Sequence, residues 1–205
     1  MIGIVEYGSG NVAAIMNLLK HKKIAHFVSN NPKELRKADR FLLPGVGAFD
    51  PTISHLTEAG ILETLKEEVH GKGKLLMGIC VGMHLLAEAS EEGNRTGLGW
   101  VPGQVCKIDT TALRNRPHLP HMGWNSISLT REDPLFTGID VEQGFYFLHS
   151  YFFDATMPNN VLASVDYGKA MPCAVRNKNV YGVQFHPEKS HSNGMRLLQN
   201  FAELS

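Results

Sequence analysis

Apolar and polar positions along the first eighty residues follow two alternating rhythms. Ile2 to Val5, Phe41-Leu42-Leu43 and Leu75-Leu76-Met77 are short continuous apolar runs, the pattern of strands buried on both faces. Residues 24–29 can form a further strand. Between these runs the spacing becomes helical, with Ile15, Leu18 and Leu19 inside 12–21 and Ile61, Leu62, Leu65 and Val69 inside 61–70. Pro32 suits the first turn of a short helix. Tyr7-Gly8-Ser9-Gly10-Asn11 and Pro44-Gly45-Val46-Gly47 read as turns at strand ends. Strands separated by helices imply a mainly parallel sheet, whose ligand crevice lies beyond the carboxyl ends of the strands. After Glu91-Glu92-Gly93-Asn94 the rhythm changes. Short β-like runs at 98–108, 121–130, 145–153, 161–166 and 172–185 are separated by turns, and a last helix over 192–204 turns Met195, Leu198 and Phe201 to the core. The expected fold is α/β: a single domain over 1–205, with a mainly parallel central sheet flanked by helices and a β-rich second half.

Composition narrows the function. Twenty basic residues balance twenty acidic ones, which gives no reason to expect a nucleic-acid or anionic-membrane partner. Cys80, Cys106 and Cys173 form no CxxC pair and no even disulfide framework, which favours a reducing, cytoplasmic setting. The start of the chain has neither a basic region nor a long apolar run, so no signal peptide or membrane span is expected. Gly8-Ser9-Gly10 opens a helix after a strand, but Ala13 stands where a dinucleotide fingerprint needs its third glycine. It reads as a tight turn at a partner surface. His118 and His121 have HxxH spacing, yet Pro117 and Pro120 break any shared helical face and no third ligand is evident. No metal and no cofactor is expected. Cys106 and Cys173 read as small core residues.

The candidate chemistry centres on Leu75-Leu76-Met77-Gly78-Ile79-Cys80-Val81-Gly82-Met83. Gly-x-Cys-x-Gly after an apolar strand is the nucleophile-elbow pattern with sulfur in place of the serine oxygen. A helix carrying Met83, Leu85, Leu86 and Ala87 is expected to follow and to aim its N-terminus at the sulfur, favouring thiolate. Taken alone, Cys80 could equally be a buried structural cysteine. A base is found after the strand Tyr181-Gly182-Val183-Gln184-Phe185, in His186-Pro187-Glu188. Residues two apart in extended chain face one way, so Glu188 can orient His186 and stabilise its imidazolium. Together these predict a Cys80–His186–Glu188 triad.

Gly78-Ile79-Cys80-Val81-Gly82-Met83 and Gln184-Phe185-His186-Pro187-Glu188 resemble the class I (triad) glutamine amidotransferase family, a flavodoxin-like fold. Four further stretches are Tyr7-Gly8-Ser9-Gly10-Asn11, Leu43-Pro44-Gly45-Val46-Gly47-Ala48-Phe49, Pro120-His121-Met122-Gly123-Trp124-Asn125 and Phe145-Tyr146-Phe147-Leu148-His149-Ser150-Tyr151. They resemble the branch whose members pair as heterodimers with a (β/α)8-barrel cyclase, making imidazole glycerol phosphate and AICAR in histidine biosynthesis. The resemblance covers the whole chain. It implies hydrolysis of L-glutamine to glutamate and ammonia through a Cys80 thioester, with the ammonia channelled to the barrel. It assigns Gly45, Val46, Gly47, Val81, His84, Ser150 and Tyr151 to oxyanion or substrate binding. The oxyanion donors would be the Val81 N–H and an N–H from 44–47, presented by a peptide flip. Asn11, Trp124 and Lys189 would meet the barrel. His84 departs from the glutamine usual in the family four residues after the cysteine. Pro187-Glu188-Lys189-Ser190-His191 and Ser90-Glu91-Glu92-Gly93 also resemble a paralogous branch that supplies ammonia for sugar amidation in surface-polysaccharide synthesis. A stand-alone cysteine hydrolase and a catalytically weak binding subunit are the competing classes.

Overall fold

The structure, a computed structural model, describes residues 1–112 and 118–205. The first half runs β1 (Ile2–Val5), α1 (Val12–His21), β2 (His26–Ser29), α2 (Pro32–Leu35), β3 (Arg40–Gly45), α3 (Phe49–Glu58), α4 (Ile61–Lys66) and β4 (Leu75–Cys80). The second runs α5 (Val81–His84), β5 (Ala89–Ser90), β6 (Gly103–Lys107), β7 (His121–Asn125), β8 (Ser128–Leu129), β9 (Phe145–His149), β10 (Tyr151–Ala155), β11 (Val161–Asp166), β12 (Ala170–Asn177), β13 (Val180–Val183) and α6 (His191–Glu203).

Among the described residues the main sheet has eight strands in the order β2-β1-β3-β4-β13-β12-β11-β8. It is parallel from β2 to β13 and antiparallel beyond. The apolar runs of β1, β3 and β4 lie at its centre, buried as expected of strands covered on both faces. The decisive pairing is β13 with β4, with Gly182 opposite Gly78 and Val183 opposite Ile79. It brings the chain that follows β13 beside the carboxyl end of β4. Two smaller sheets, β10-β6-β5 and β7-β9, wall the same end. The expected mainly parallel α/β fold with a β-rich second half is what forms.

Four local expectations are corrected. The helix after Cys80 is a single turn, because the next carbonyls are claimed by another segment. Leu98 N donates to Leu85 O, Trp100 N to Leu86 O, Gly99 N to Ala87 O and Gly97 N to Glu88 O, which leaves no i,i+4 ladder. A helix at 49–58 was not anticipated, although Phe49, Ile53 and Leu56 bury one face of it. The 61–70 helix ends at Lys66 and widens through Glu67–Gly71. There Glu68 is buried, 2.6 Å from Lys72 Nζ and 2.5 Å from Lys74 Nζ. In α6, Met195 is half-buried and Leu197 joins Leu198 and Phe201 in the core. Cys173 is buried in that core, and Cys106 packs partly buried beside a smaller cluster of Ile108, Phe152, Tyr167 and Met171. No helix among the described residues is long and apolar enough to cross a membrane.

Candidate active site

The elbow is built by close packing of backbone. A Cβ on Gly82 would lie 1.8 Å from Leu43 O, and one on Gly78 would lie 2.3 Å from Gly82 O. Only hydrogen fits at either position. The turn between them holds Cys80 at φ 55°, a left-handed conformation that costs a side-chain-bearing residue about 1–3 kcal/mol. The surrounding core holds it there, with Cys80 itself buried.

His186 reaches the sulfur's side of the sheet from the chain end after β13. Its backbone is pinned on both sides, its N–H donating to Tyr146 O (2.9 Å) and its carbonyl accepting from Ser190 Oγ (2.6 Å). Its Nδ1 bonds Glu188 Oε1 at 2.9 Å, both side chains being nearly inaccessible. Burial alone would lower the basicity of His186. The Cys80 sulfur and the Glu188 carboxylate outweigh it and push the imidazole up to about 10. Nε2 has no other partner within the chain and is left to the Cys80 sulfur, whose hydrogen bonding outweighs its charge in raising the imidazole.

A cavity of about 250 Å³ opens over these groups. Pockets for drug-sized ligands run to roughly 300–1,000 Å³, so this one suits a smaller metabolite. Cys80, His186, Val46, Gly47, Val81, His84, Ser150 and Tyr151 all line it. Gly45 lies directly behind, paired with Cys80 in the β3–β4 register. Glu188 is not on this wall. It lies on the far side of His186, lining a second cavity of about 490 Å³ with Asn11 and Lys189. Trp124 is 40 % exposed rather than core, and its indole stacks on the His191 ring with centroids 5.3 Å apart. It pairs across strands with Tyr146, over whose ring Lys189 Nζ sits, so the three interface candidates form one continuous face.

The 44–47 segment is held by the first turn. Val46 N–H donates to Ser9 Oγ at 2.9 Å, and the Ser9 hydroxyl bonds back to Val46 O. Tyr7 OH bonds Pro44 O. The Val46 N–H is therefore engaged, and the peptide must rotate before it can face the pocket. Gly47, at φ 123°, gives the backbone that freedom.

Several lining residues escaped the sequence argument. Glu92 stands on the pocket wall, its Oε2 accepting from Phe49 N–H at 3.1 Å, and burial raises its pKa. Leu148 and Pro120 complete the wall. His149 is buried and held neutral, pushed down to about 3 by burial and by neighbouring His121, although its bond to Tyr151 O opposes this. Its Nδ1–H donates to Tyr151 O (2.8 Å), so Nε2 must accept from His121 Nδ1–H (2.9 Å), and His121 Nε2 in turn accepts from Asn125 Nδ2 (3.3 Å). This hydrogen-bonded file of rings braces the segment carrying Ser150 and Tyr151. It also accounts for His121, which is buried and stacked on Phe147 and Tyr167, whereas His118 is exposed. Pro117, used to read the HxxH pair, lies outside the described residues.

Comparison with known proteins adds to this geometry. Residues 4–204 match the family model for glutamine amidotransferase class-I. The chain is similar to imidazole glycerol phosphate synthase subunit HisH of Bdellovibrio bacteriovorus, with 48% identity over 209 residues and 100% of each chain covered. It is similar to the subunit of the same name from Bacillus subtilis, with 43% identity over 208 residues, 100% of this chain and 97% of that one. Among solved structures it resembles a glutamine amidotransferase with TM-score 0.74 and 19% identity, covering 98% of this chain and 97% of that one. It also resembles PurLQS from Thermotoga maritima, with TM-score 0.73, 18% identity and the same coverage. At such identities the structural likeness speaks for the fold alone.

Proposed function

The chain belongs to the class-I glutamine amidotransferases, and on that premise we propose that it is the glutaminase subunit of an imidazole glycerol phosphate synthase, hydrolysing glutamine and passing ammonia to a (β/α)8-barrel cyclase partner in histidine biosynthesis. The observation that carries the reading is the meeting of Cys80 with His186 in a small pocket, with Glu188 bonded to the imidazole from a second cavity behind it. Cys80 Sγ attacks the side-chain amide carbonyl of glutamine, and its proton goes to His186. The imidazolium, favoured by Glu188, then protonates the departing nitrogen, and ammonia leaves as the C–N bond breaks. Water, deprotonated by His186, attacks the thioester and releases glutamate with the sulfur restored. The Val81 N–H stabilises the oxyanion, and a second donor requires the Val46 peptide to rotate away from Ser9. Glu92 suits the substrate ammonium, with Ser150 and Tyr151 lining the same wall.

His186, Val46 and Leu148 line both cavities, which favours an exit for ammonia toward the face of Asn11, Trp124 and Lys189. A partner seated there would touch the Gly8–Asn11 turn, and through Ser9 the oxyanion segment.

The test is glutamate release from glutamine, alone and with the barrel partner and its nucleotide ligand. The expected result is weak hydrolysis alone, a strong rise in the loaded complex, and none in Cys80→Ala. Equal activity with and without partner would indicate a stand-alone hydrolase, and stimulation only by a sugar-amidating barrel would reassign the acceptor.

A further inference from the structure

His84 and Gln184 have no role in the scheme above, yet both are buried against the nucleophile. His84 Nε2 lies 2.7 Å from Gln184 Oε1, and Gln184 Nε2 lies 3.9 Å from Cys80 Sγ. Chemistry dictates which atoms donate. Burial pushes His84 down to about 4 against the opposing bond to Gln184, so the ring is neutral and carries one N–H. An amide oxygen can only accept, which puts that N–H on Nε2. Nδ1 is then a bare acceptor, and it has no partner within the chain. With Oε1 engaged, the end of the amide left facing sulfur is its NH2.

We propose that His84 is a positioning residue for the nucleophile: it fixes the Gln184 amide so that an N–H, and not the carbonyl, is presented to Cys80 Sγ, stabilising the thiolate. An unrestrained primary amide can turn either end to the sulfur. Its oxygen would disfavour the anion, and its N–H makes a charge-assisted bond that grows as the thiol ionises. Gln184 precedes His186 by two residues, so the chain end after β13 supplies both the base and this donor. The residue that departs from the family pattern thereby acts on Cys80 through a neighbour rather than on the substrate. The inference rests on Cys80 being the nucleophile. The other ionisable groups around the sulfur are His186 with Glu188 behind it, Tyr7 from the β1 end, and His149 and Glu92 across the pocket.

The experiment is the pH profile of Cys80 alkylation by iodoacetamide on the isolated full-length chain, read on the Cys80 peptide by mass spectrometry. His84→Leu and Gln184→Leu should each slow alkylation at neutral pH roughly three- to tenfold and move the midpoint upward, the effect of losing one long hydrogen bond of ordinary net worth. The double variant should be no slower than Gln184→Leu, because the two residues act in series. His84→Gln keeps a donor for Gln184 and should retain the parent profile. In the complex, kcat should fall with the alkylation rate while KM for glutamine holds. Unchanged profiles in both leucine variants, multiplying effects in the double variant, or a rise in KM alone would overturn the proposal, the last meaning direct substrate contact. If His84→Leu does not fold, His84→Phe keeps the ring without the N–H and is read the same way. Alkylation does not require turnover, so a chain that releases no glutamate with any partner would overturn the glutaminase reading and leave this profile still legible.

Discussion

The two cavities that meet at His186 differ in nearly every physical respect. The smaller is walled by Cys80 and by buried histidines, two of them held neutral by burial, with side chains bracing one another through directed hydrogen bonds. The larger is floored by the backbone of the Gly8-Ser9-Gly10-Asn11 turn and edged by the exposed Lys189. One is shaped to hold charge and geometry constant during a reaction. The other offers a surface that a partner can press upon, with Ser9 joining it to the oxyanion segment. On the proposed function, the difference places chemistry and its control on opposite sides of a single imidazole.

Substitutions that act on one side only will sharpen the contrast. The largest effect is expected from Glu188→Gln, which lies behind His186 yet serves the reaction side. Loss of its charge should lower kcat roughly 10²- to 10⁴-fold while partner affinity is kept, read by glutamate release and by titration of the complex. Comparable losses of affinity and kcat would merge the two sides into one.

The neutral histidines give the reaction side a dependence on acid. His84 has a folded value near 4 against 6.5 ordinarily, so the unfolded chain binds its proton first as the pH falls. Stability should be undiminished by this group above pH 6.5, decline between 6.5 and 4, and level off below, by at most about 3 kcal/mol. Thermal melting of His84→Gln should show a shallower decline across that window, and identical slopes would mean that the ring titrates normally in the fold.

On the docking side, Trp124→Ala removes an aromatic anchor and should weaken the barrel complex by about 1–2 kcal/mol, roughly five- to thirtyfold in Kd. Cys80 alkylation in the isolated chain should not change, and if it does, this face is coupled to the nucleophile without a partner. Ser9→Ala is the mildest expected change. Freeing the Val46 peptide should raise partner-free hydrolysis a few-fold and narrow the stimulation by partner, since about 0.5–1.5 kcal/mol is one hydrogen bond's net worth. A fall in partner-free activity would mean that Ser9 supports the pocket rather than restraining it.

Legibility in the sequence tracked how local each feature is. Gly78, Cys80 and Gly82 sit within five residues and specify their own turn, and His186 and Glu188 are likewise adjacent. Glu92, His149 and Gln184 stand next to or inside the motifs, yet nothing in their neighbours says that the first two line one pocket and the third faces its sulfur, because they arrive on separate elements. The length of the helix after Cys80 was misread for a related reason. Its apolar spacing is helical, but the carbonyls of Leu85 to Glu88 are taken by the segment 97–101, a competition invisible in a local window.

The amino-acid sequence by itself determined the alternating strands and helices of the first half, the β-rich second half, the strained elbow at Cys80 and the base with its carboxylate, since each depends on turns and periodicities spanning a few residues. Only the tertiary structure decided that β13 lies parallel beside β4, that His84 and His149 are neutral, that Gln184 turns its amide toward the sulfur, and that Ser9 holds Val46. Those outcomes depend on which distant segments bury one another. Burial across the sheet sets the local dielectric and leaves each polar group one available partner, and neither can be read from residues taken a few at a time.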